Sequence, residues 1–241
     1  MEELVRPALY MVATPIGHLD DITLRAVGLL KEVDLILCED TRQSVKLLDH
    51  HGIDTPRKSF RIHRLREDLS FALGKIQEGQ ALAFLSDAGT PGISDPGAEL
   101  VRYLRAELPD LTIRPLPGAS ALTAALSVCG FNASPLVFLG FLSPKSGRRE
   151  RELLLYRDFS GIIVFFESVH RIVATLEQVQ ALFPGREVFL AREISKKFEE
   201  IRLWKGPSDT FSAVKGEFTV ILGPEKVKGK KKHYVPEQPD R

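Results

Sequence analysis

A glycine- and proline-rich segment, residues 86–97, carries the clearest chemical signal in the sequence and reads SDAGTPGISDPG. It follows an apolar run typical of a β-strand and precedes an amphipathic stretch typical of a helix. Glycines let a backbone approach a ligand closely, and open α/β sheets bind ligands beyond the carboxyl ends of their strands. Asp87 is a candidate acceptor for an amino group or a ribose hydroxyl, whereas Ser94 and Asp95 are candidates to cap the next helix. The segment predicts a ligand wall, with a long turn as the alternative.

Two more segments place polar or turn-forming residues directly after apolar runs. Residues 12–17, VATPIG, suit the wall of a ligand site, and residues 39–42, EDTR, close the second apolar run. Asp40 and Arg42 are expected to face a cleft, where an arginine binds a phosphate through two hydrogen bonds. Capping of a helix by Asp40 or Thr41 is the alternative. His63, among three nearby arginines, is a candidate for RNA contact or proton transfer, or else a structural histidine.

The second half of the chain repeats the pattern of turns beside helices and strands in residues 117–121, 164–171 and 215–219. Gly118, Ser120 and Ala121 offer small side chains to an adenosine, although a helix start explains them equally well. Phe166 is expected to be partly core and partly ligand wall. The arginines at 148, 149 and 151 predict an exposed basic turn that binds RNA or is simply solvated.

Composition excludes several classes of protein. Neither a G-x-x-x-x-G-K-[ST] loop nor a G-x-G-x-x-G fingerprint occurs, and no group of His, Cys and Asp has metal-ligand spacing. The only cysteines, Cys38 and Cys129, lie in apolar runs, which fits a reducing cytoplasm. No membrane span or signal segment is expected.

The net charge of the chain is +1, but its last residues are basic. Residues 226–241 hold six Lys or Arg and two acids, a charge of about +4. This tail is therefore expected to be disordered or to attract RNA.

Alternating strand-like and helix-like runs predict an α/β fold with two α/β domains and the ligand cleft between them. The domains are placed at residues 1–116 and 117–225, followed by the basic tail. Strands are predicted at residues 8–14, 34–38, 80–86, 112–116, 136–141, 162–166, 187–191, 201–205 and 218–222. Helices are predicted at residues 23–31, 98–107, 120–128, 148–156 and 169–182. The last strands suggest an antiparallel portion, and hence a mixed second sheet.

In this order, the segments ATPIG, LCEDTR, SDAGTPGISDPG, PGASA, FFESVHR, REISKKFEE and KGEF resemble the rRNA ribose-2′-O-methyltransferase I family of the tetrapyrrole methylase superfamily. The likeness spans about residues 8–223. It implies S-adenosylmethionine in a cleft between two domains, ribosomal RNA or the small ribosomal subunit as partner, and a homodimer. The sequence departs from the family pattern at His18, Gly92 and residues 64–66.

The resemblance also implies roles for individual residues. Implied cofactor contacts are Pro15, Ser86, Asp87, Ala88, Gly89, Ile93, Ser94, Asp95, Ser120, Ala121, Phe166, Ala191, Gly216 and Thr219. Implied substrate contacts are Glu39, Asp40, Arg42, His63, Arg171, Arg192, Glu193 and Lys196, to which the basic turn adds Arg148 and Arg149.

Methylation of a ribose hydroxyl requires the removal of its proton, for which Asp40, Glu217 and His63 are the candidate bases. No step requires a metal. The sequence leaves two alternatives open. One is C-methylation of a tetrapyrrole such as a cobalamin or sirohaem precursor, against which LCEDTR and FFES-x-HR argue. The other is a ribosome-associated module that binds S-adenosylmethionine without catalysis.

Overall fold

A computed structural model describes residues 4–209 and 216–225. Its first sheet has five strands, all parallel, in the order β3-β2-β4-β1-β5. The strands are β1 Ala8–Val12, β2 Leu35–Cys38, β3 Arg57–Ser59, β4 Ala81–Leu85 and β5 Thr112–Leu116. The helices of this half are α1 Leu24–Glu32, α2 Thr41–His50, α3 Leu65–Gln77 and α4 Gly97–Glu107.

Both faces of the first sheet are buried, which explains its continuous apolar runs. Alternate residues of β4 enter different cores: Ala81, Ala83 and Leu85 pack on one side, and Leu82 and Phe84 on the other. Helix residues from α1 and α2 complete the first core, while residues from α3 and α4 complete the second. Helices thus cover both faces of the sheet. Because its strands are parallel, their carboxyl ends and the loops that follow them lie at the same edge.

The second sheet is mixed, in the order β6-β7-β10-β8-β9. Its strands are β6 Leu136–Phe141, β7 Ile162–Ser168, β8 Val188–Arg192, β9 Glu200–Leu203 and β10 Glu217–Leu222, and its helices are α5 Ala121–Val128, α6 Ser146–Leu154 and α7 Ile172–Leu182. Only β6 and β7 pair in parallel, and the other pairs are antiparallel. Residues of α5 cover one face, and residues of α6 and α7 cover the other.

The predicted α/β fold with two sheets is confirmed, including the antiparallel portion of the second sheet. The division at residues 116 and 117 stays a prediction; segment 117–120 connects β5 to α5. The structure adds β3 and α3, which were not predicted, and α2 is the helix that the alternative for residues 39–42 expects after Asp40. Both cysteines are buried and free, as expected. Among the described residues, none of the helices is long and apolar enough to cross a bilayer. The basic tail lies outside the described residues.

Candidate functional site

The loops that follow β1, β2 and β4 are tied together at one edge of the first sheet. The backbone N–H of Asp87 donates to Glu39 Oε1 at 3.1 Å, and the backbone N–H of Asp40 donates to Asp87 Oδ1 at 3.0 Å. Thr14 and Gly89 exchange two backbone hydrogen bonds of 3.0 and 3.1 Å. These contacts join positions more than 40 residues apart, so the three loops form one surface.

The glycine-rich loop after β4 is held rigid by its own side chains. The Asp95 carboxylate accepts hydrogen bonds from the backbone N–H groups of Gly92, Ile93 and Gly97, the last of which begins α4. The Asp95 side chain therefore caps the start of α4, as predicted. Ser94 has a φ of 67°, in the left-handed region that non-glycine residues rarely adopt. Such a backbone persists only where its surroundings hold it, which is typical of ligand sites.

The loop after β8 forms the opposite wall and is held by Glu193. Glu193 Oε1 accepts from the backbone N–H of Glu217 at 3.2 Å and pairs with Lys196 Nζ at 2.9 Å. A Cβ atom on Gly216 would lie 2.7 Å from Glu193 Cγ, and Gly216 has a φ of 122°. Only glycine fits there, because both the close approach and the backbone angle exclude a side chain.

The two walls approach each other through close backbone contacts at glycines. A Cβ atom on Gly17 would lie 2.6 Å from the carbonyl carbon and oxygen of Ser195 and 2.7 Å from the carbonyl oxygen of Ile194. A Cβ atom on Gly140 would lie 3.4 Å from Ser94 Oγ. The turn after β1 is therefore packed directly against the loop after β8.

A cavity lies between the two sheets and is hereafter called the main cavity. Its volume is about 210 Å³, and it is partly open to solvent. Its walls combine glycine-rich backbone, small side chains, two phenylalanines and several charged groups. The lining residues are Ile16, Glu39, Ser86, Asp87, Ala88, Gly89, Thr90, Ile93, Ser94, Asp95, Ser120, Ala121, Phe141, Phe166, Ala191, Glu193, Ile194, Lys196, Glu217, Phe218 and Thr219.

A second depression, hereafter the side groove, adjoins the main cavity. Its lining residues are Glu39, Asp40, Arg42, Phe60, Arg61, Ile62, His63, Asp87, Ser94 and Pro96. Glu39, Asp87 and Ser94 line both spaces. A ligand in the main cavity and a second molecule in the side groove would therefore meet at these three residues.

The carboxylates at this junction differ in acidity. Burial raises the pKa of Glu39 to about 7, reinforced by the negative charges of Asp87 and Asp95 against the opposing hydrogen bond from the Asp87 N–H. Burial also raises the pKa of Asp87. By contrast, hydrogen bonds from Arg42 lower the pKa of Asp40 to about 2. Near pH 7, Glu39 can both accept and release a proton.

Most of the predicted site residues are brought together. All the predicted cofactor contacts line the main cavity except Pro15, which is buried, and Gly216, which lies against Glu193. Glu193, Lys196 and Glu217 also line the main cavity. Asp40, Arg42 and His63 line the side groove. Asp40 in addition caps α2, because its side chain accepts from the Arg42 N–H, so it both lines the side groove and begins this helix.

Four predicted substrate contacts, Arg148, Arg149, Arg171 and Arg192, line neither space. The expectation that Arg149 is exposed is wrong: it is 4% exposed within α6 and donates to Gln178 Oε1. Arg192 is 2% exposed and lies 3.4 Å from Glu200. These guanidinium groups are buried against residues of other elements, Gln178 and Glu200, which the local sequence pattern does not reveal.

Arg171 also has an internal partner. Its Nη2 lies 2.6 Å from Oε1 of Glu167, which is fully buried, and its Nη1 donates to the carbonyl oxygen of Leu142. Glu167 accepts further hydrogen bonds from the Ser168 backbone and the Thr175 hydroxyl. Within the FFESVHR segment, this glutamate and arginine therefore anchor the end of β7 to the start of α7.

Sequence reasoning missed several residues of the main cavity, among them Ile16, Thr90, Phe141 and Ile194. Ile16 lies within VATPIG and Thr90 within SDAGTPGISDPG, two segments whose turn residues already predict a ligand wall. Phe141 ends β6 with 46% of its surface exposed, and its ring centre lies 5.4 Å from that of Phe166. An aromatic pair at a strand end gives no sequence signal that distinguishes it from core.

The fold also brings together one group of potential metal ligands that has no recognisable spacing in the sequence. Potential ligand atoms of Asp20, His50 and His51, from two separate segments, lie within 4.8 Å of one another. His50 Nε2 is 3.0 Å from Asp20 Oδ1, and His51 Nε2 is 3.1 Å from the Leu19 carbonyl oxygen. These residues line neither the main cavity nor the side groove. Their hydrogen bonds tie the turn at residues 19–21 to the end of α2.

Comparison with known proteins relates nearly the whole chain to one family. The sequence profile of the family described as Tetrapyrrole (Corrin/Porphyrin) Methylases matches residues 8–208. The chain is 44% identical over 221 residues to the ribosomal RNA small subunit methyltransferase I of Leptospira biflexa serovar Patoc, covering 90% of this chain and 91% of that one. It is 42% identical over 219 residues to the Thermotoga maritima protein of the same name, covering 89% and 97%.

A solved structure shares the fold. It is the uroporphyrin-III C-methyl transferase from Thermus thermophilus complexed with S-adenyl homocysteine, with a TM-score of 0.60 and 19% sequence identity, covering 90% of this chain and 97% of that one. At this identity the likeness shows the architecture alone.

Proposed function

Because the chain belongs to the tetrapyrrole methylase family and to its group of small-subunit ribosomal RNA methyltransferases I, we propose that it methylates small-subunit (16S) ribosomal RNA. The methyl donor is S-adenosylmethionine, and the acceptor is the ribose 2′-hydroxyl of a cytidine. The observation that carries this proposal is the junction of two spaces at Glu39, one for the donor and one for the acceptor.

The main cavity fits an adenosyl amino acid in the chemistry of its walls. Phe141, Phe166 and Ile93 provide apolar surface for a purine, and the small side chains of Ala88 and Ala121 leave room beside it. Carboxylates at Asp87, Glu193 and Glu217, with the ammonium group of Lys196, provide partners for ribose hydroxyls and for a zwitterionic tail. When bound, the cofactor supplies an electrophilic methyl group on a sulfonium sulfur.

On the acceptor side, the chain must position a hydroxyl and remove its proton. Correct positioning of two reactants contributes about 7 to 11 kcal/mol to lowering a barrier. Glu39 joins the candidate bases because it lies at the junction and its pKa of about 7 matches neutral solution. Asp40, with a pKa of about 2, is a weaker base and is occupied by Arg42. His63 and Glu217 remain candidates that line one space each.

The test is a transfer assay with tritium-labelled S-adenosylmethionine and three acceptors: small ribosomal subunits, naked 16S ribosomal RNA and a uroporphyrinogen. We expect label in one of the two RNA samples and none in the tetrapyrrole. Label in the uroporphyrinogen alone would instead support the tetrapyrrole C-methyltransferase. Calorimetric binding of the cofactor without transfer to any acceptor would support the non-catalytic ribosome-associated module. Homodimerisation, which sedimentation measures, and a cytoplasmic location stay predictions.

The contact between Gly17 and Ser195 provides a test of the main cavity. We expect Gly17→Ala to weaken S-adenosylhomocysteine binding by about tenfold to a hundredfold, because the added methyl group displaces the loop that carries Glu193 and Lys196. The measurement is titration calorimetry. Gly74→Ala in α3 is the matched control, since a Cβ atom there meets nothing within 4 Å. The affinity of this variant for S-adenosylhomocysteine should equal that of the wild type. Equal affinities of both variants would contradict the placement of the ligand.

A further inference from the structure

A short segment, residues 60–63, forms one rim of the side groove and is hereafter the rim segment. Its first residue, Phe60, is fully buried, and its ring centre lies 5.6 Å from that of Phe84 in the core of the first sheet. The Phe60 N–H donates to the Cys38 carbonyl oxygen at the end of β2, one residue before Glu39. The rim segment is therefore attached directly to the strand that carries the proposed base.

A buried carboxylate fixes the next residue of the rim segment. Asp68, in α3, is 3% exposed, and its Oδ2 accepts from the backbone N–H of Arg61 at 3.0 Å. Its other oxygen lies 3.6 Å from Lys58 Nζ. A carboxylate is costly to bury and persists where such partners stabilise it. The contact lies behind the rim and holds the Arg61 backbone in one place.

After the buried Phe60, the side chains at residues 61–63 are exposed. Ile62 is 68% exposed and lines the side groove, where it offers an apolar surface. The guanidinium of Arg61, also exposed, makes no hydrogen bond or ion pair within residues 4–209 and 216–225, although its charge acts on Asp40. Two other arginines nearby are paired: Arg42 with Asp40 at 2.8 Å, and Arg64 with Glu67 at 2.7 Å. Arg61 thus presents an exposed guanidinium without a direct ion pair beside an apolar surface.

We propose that the rim segment binds the RNA strand next to the methylated ribose, and that Asp68 is the residue that positions it. Arg61 binds a backbone phosphate, which needs a cation, and Ile62 packs against an unstacked base, as apolar side chains do at distorted nucleic-acid steps. A fixed backbone makes this contact effective, because the ordering of the segment is already complete before RNA arrives. The inference rests on the proposed function and names the acceptor side of the same site.

The first test compares Arg61 of the rim segment with Arg64, the next arginine along the chain, in methylation of the ribosomal RNA acceptor. Arg61→Gln should raise KM for RNA about tenfold, change kcat less than twofold, and reduce the slope of log kcat/KM against log salt by about one, as for a lost phosphate contact. Arg64→Gln is the matched control, because its guanidinium is paired with Glu67 and lines neither space. Its slope and KM should equal those of the wild type. Equal slopes for wild type and Arg61→Gln would overturn the proposal.

The second test separates positioning from mere stability. Asp68→Ala should raise KM for RNA about tenfold, the change expected for one lost hydrogen bond to a charged group, while the affinity for S-adenosylhomocysteine stays unchanged. Asp68→Asn should recover most of this loss, because an amide oxygen still accepts from the Arg61 N–H. If both variants change cofactor affinity and KM alike, or if asparagine gives no recovery, Asp68 does not act by positioning the rim.

The outcomes distinguish this inference from the function on which it rests. Failure of the wild-type protein to label any RNA would overturn both. Normal RNA labelling with an unchanged salt slope in Arg61→Gln would overturn the rim contact alone and leave the proposed methyl transfer intact.

Discussion

Replacing Glu39 with glutamine is expected to lower kcat for RNA methylation by about 10² to 10⁴, the usual contribution of a general base. Glutamine keeps the size of the side chain and an oxygen that can accept from the Asp87 N–H, so the junction of the two spaces should keep its shape. The affinity for S-adenosylhomocysteine should therefore stay close to that of the wild type. Single-turnover methylation under saturating conditions measures the chemical step directly.

The dependence of the methylation rate on pH provides a second test of Glu39 as the base. Since the pKa of Glu39 is about 7, the wild-type rate should fall as pH drops below 7 and level off above it, because only the carboxylate accepts a proton. The residual rate of Glu39→Gln should lose this dependence. Glu67→Gln, at an exposed glutamate outside both spaces, should keep the wild-type rate and profile. An unchanged profile in Glu39→Gln would assign the proton to another group.

Stability separates this effect from damage to the fold. A raised carboxyl pKa in the folded state means that folding favours the protonated form, so the stabilising contribution is present at low pH and is lost as pH rises through about 7. At pH 8 the neutral glutamine should thus leave the free energy of unfolding equal to or above that of the wild type. A slow variant that is also unstable at pH 8 would contradict a purely catalytic role.

Arg171→Ala is expected to lower the free energy of unfolding by about 3 to 5 kcal/mol, because it leaves the carboxylate of Glu167 buried without its charged partner. Urea unfolding followed by circular dichroism measures the change. Arg148→Ala is the matched control: its pair with Glu152 is also four residues apart but is exposed, and its loss should cost less than about 1 kcal/mol. Similar losses in the two variants would show that the Glu167–Arg171 pair is not a structural anchor.

The sequence predicted the strands well because the buried strands carry their own signal. The apolar runs of β4 and β8 correspond to strands buried along their whole length. The short edge strand β3 was not predicted, since its residues Arg57, Lys58 and Ser59 form no apolar run. Its place is set by pairing with β2 and by the Lys58–Asp68 contact, both of which join distant positions.

Many residues of the main cavity were predictable because segments with unusually many glycines and prolines mark backbone that bends sharply or lies close to a ligand. The surroundings of the arginines were not predictable from local sequence. Arg149 is predicted in an exposed turn and Arg192 at the substrate, but their partners Gln178 and Glu200 come from other elements. The acidity of Glu39 depends on Asp87, 48 residues away, and on burial, so its suitability as a base emerges only from the fold.

The most direct test of the account is nucleoside mass spectrometry of 16S ribosomal RNA after reaction with S-adenosylmethionine that carries a deuterated methyl group. If the main cavity holds the donor and the side groove presents a ribose to Glu39, the digest will contain one deuterated 2′-O-methylcytidine. Label on a nucleobase, or unlabelled RNA in both the naked and the subunit samples despite measured cofactor binding, would contradict the account.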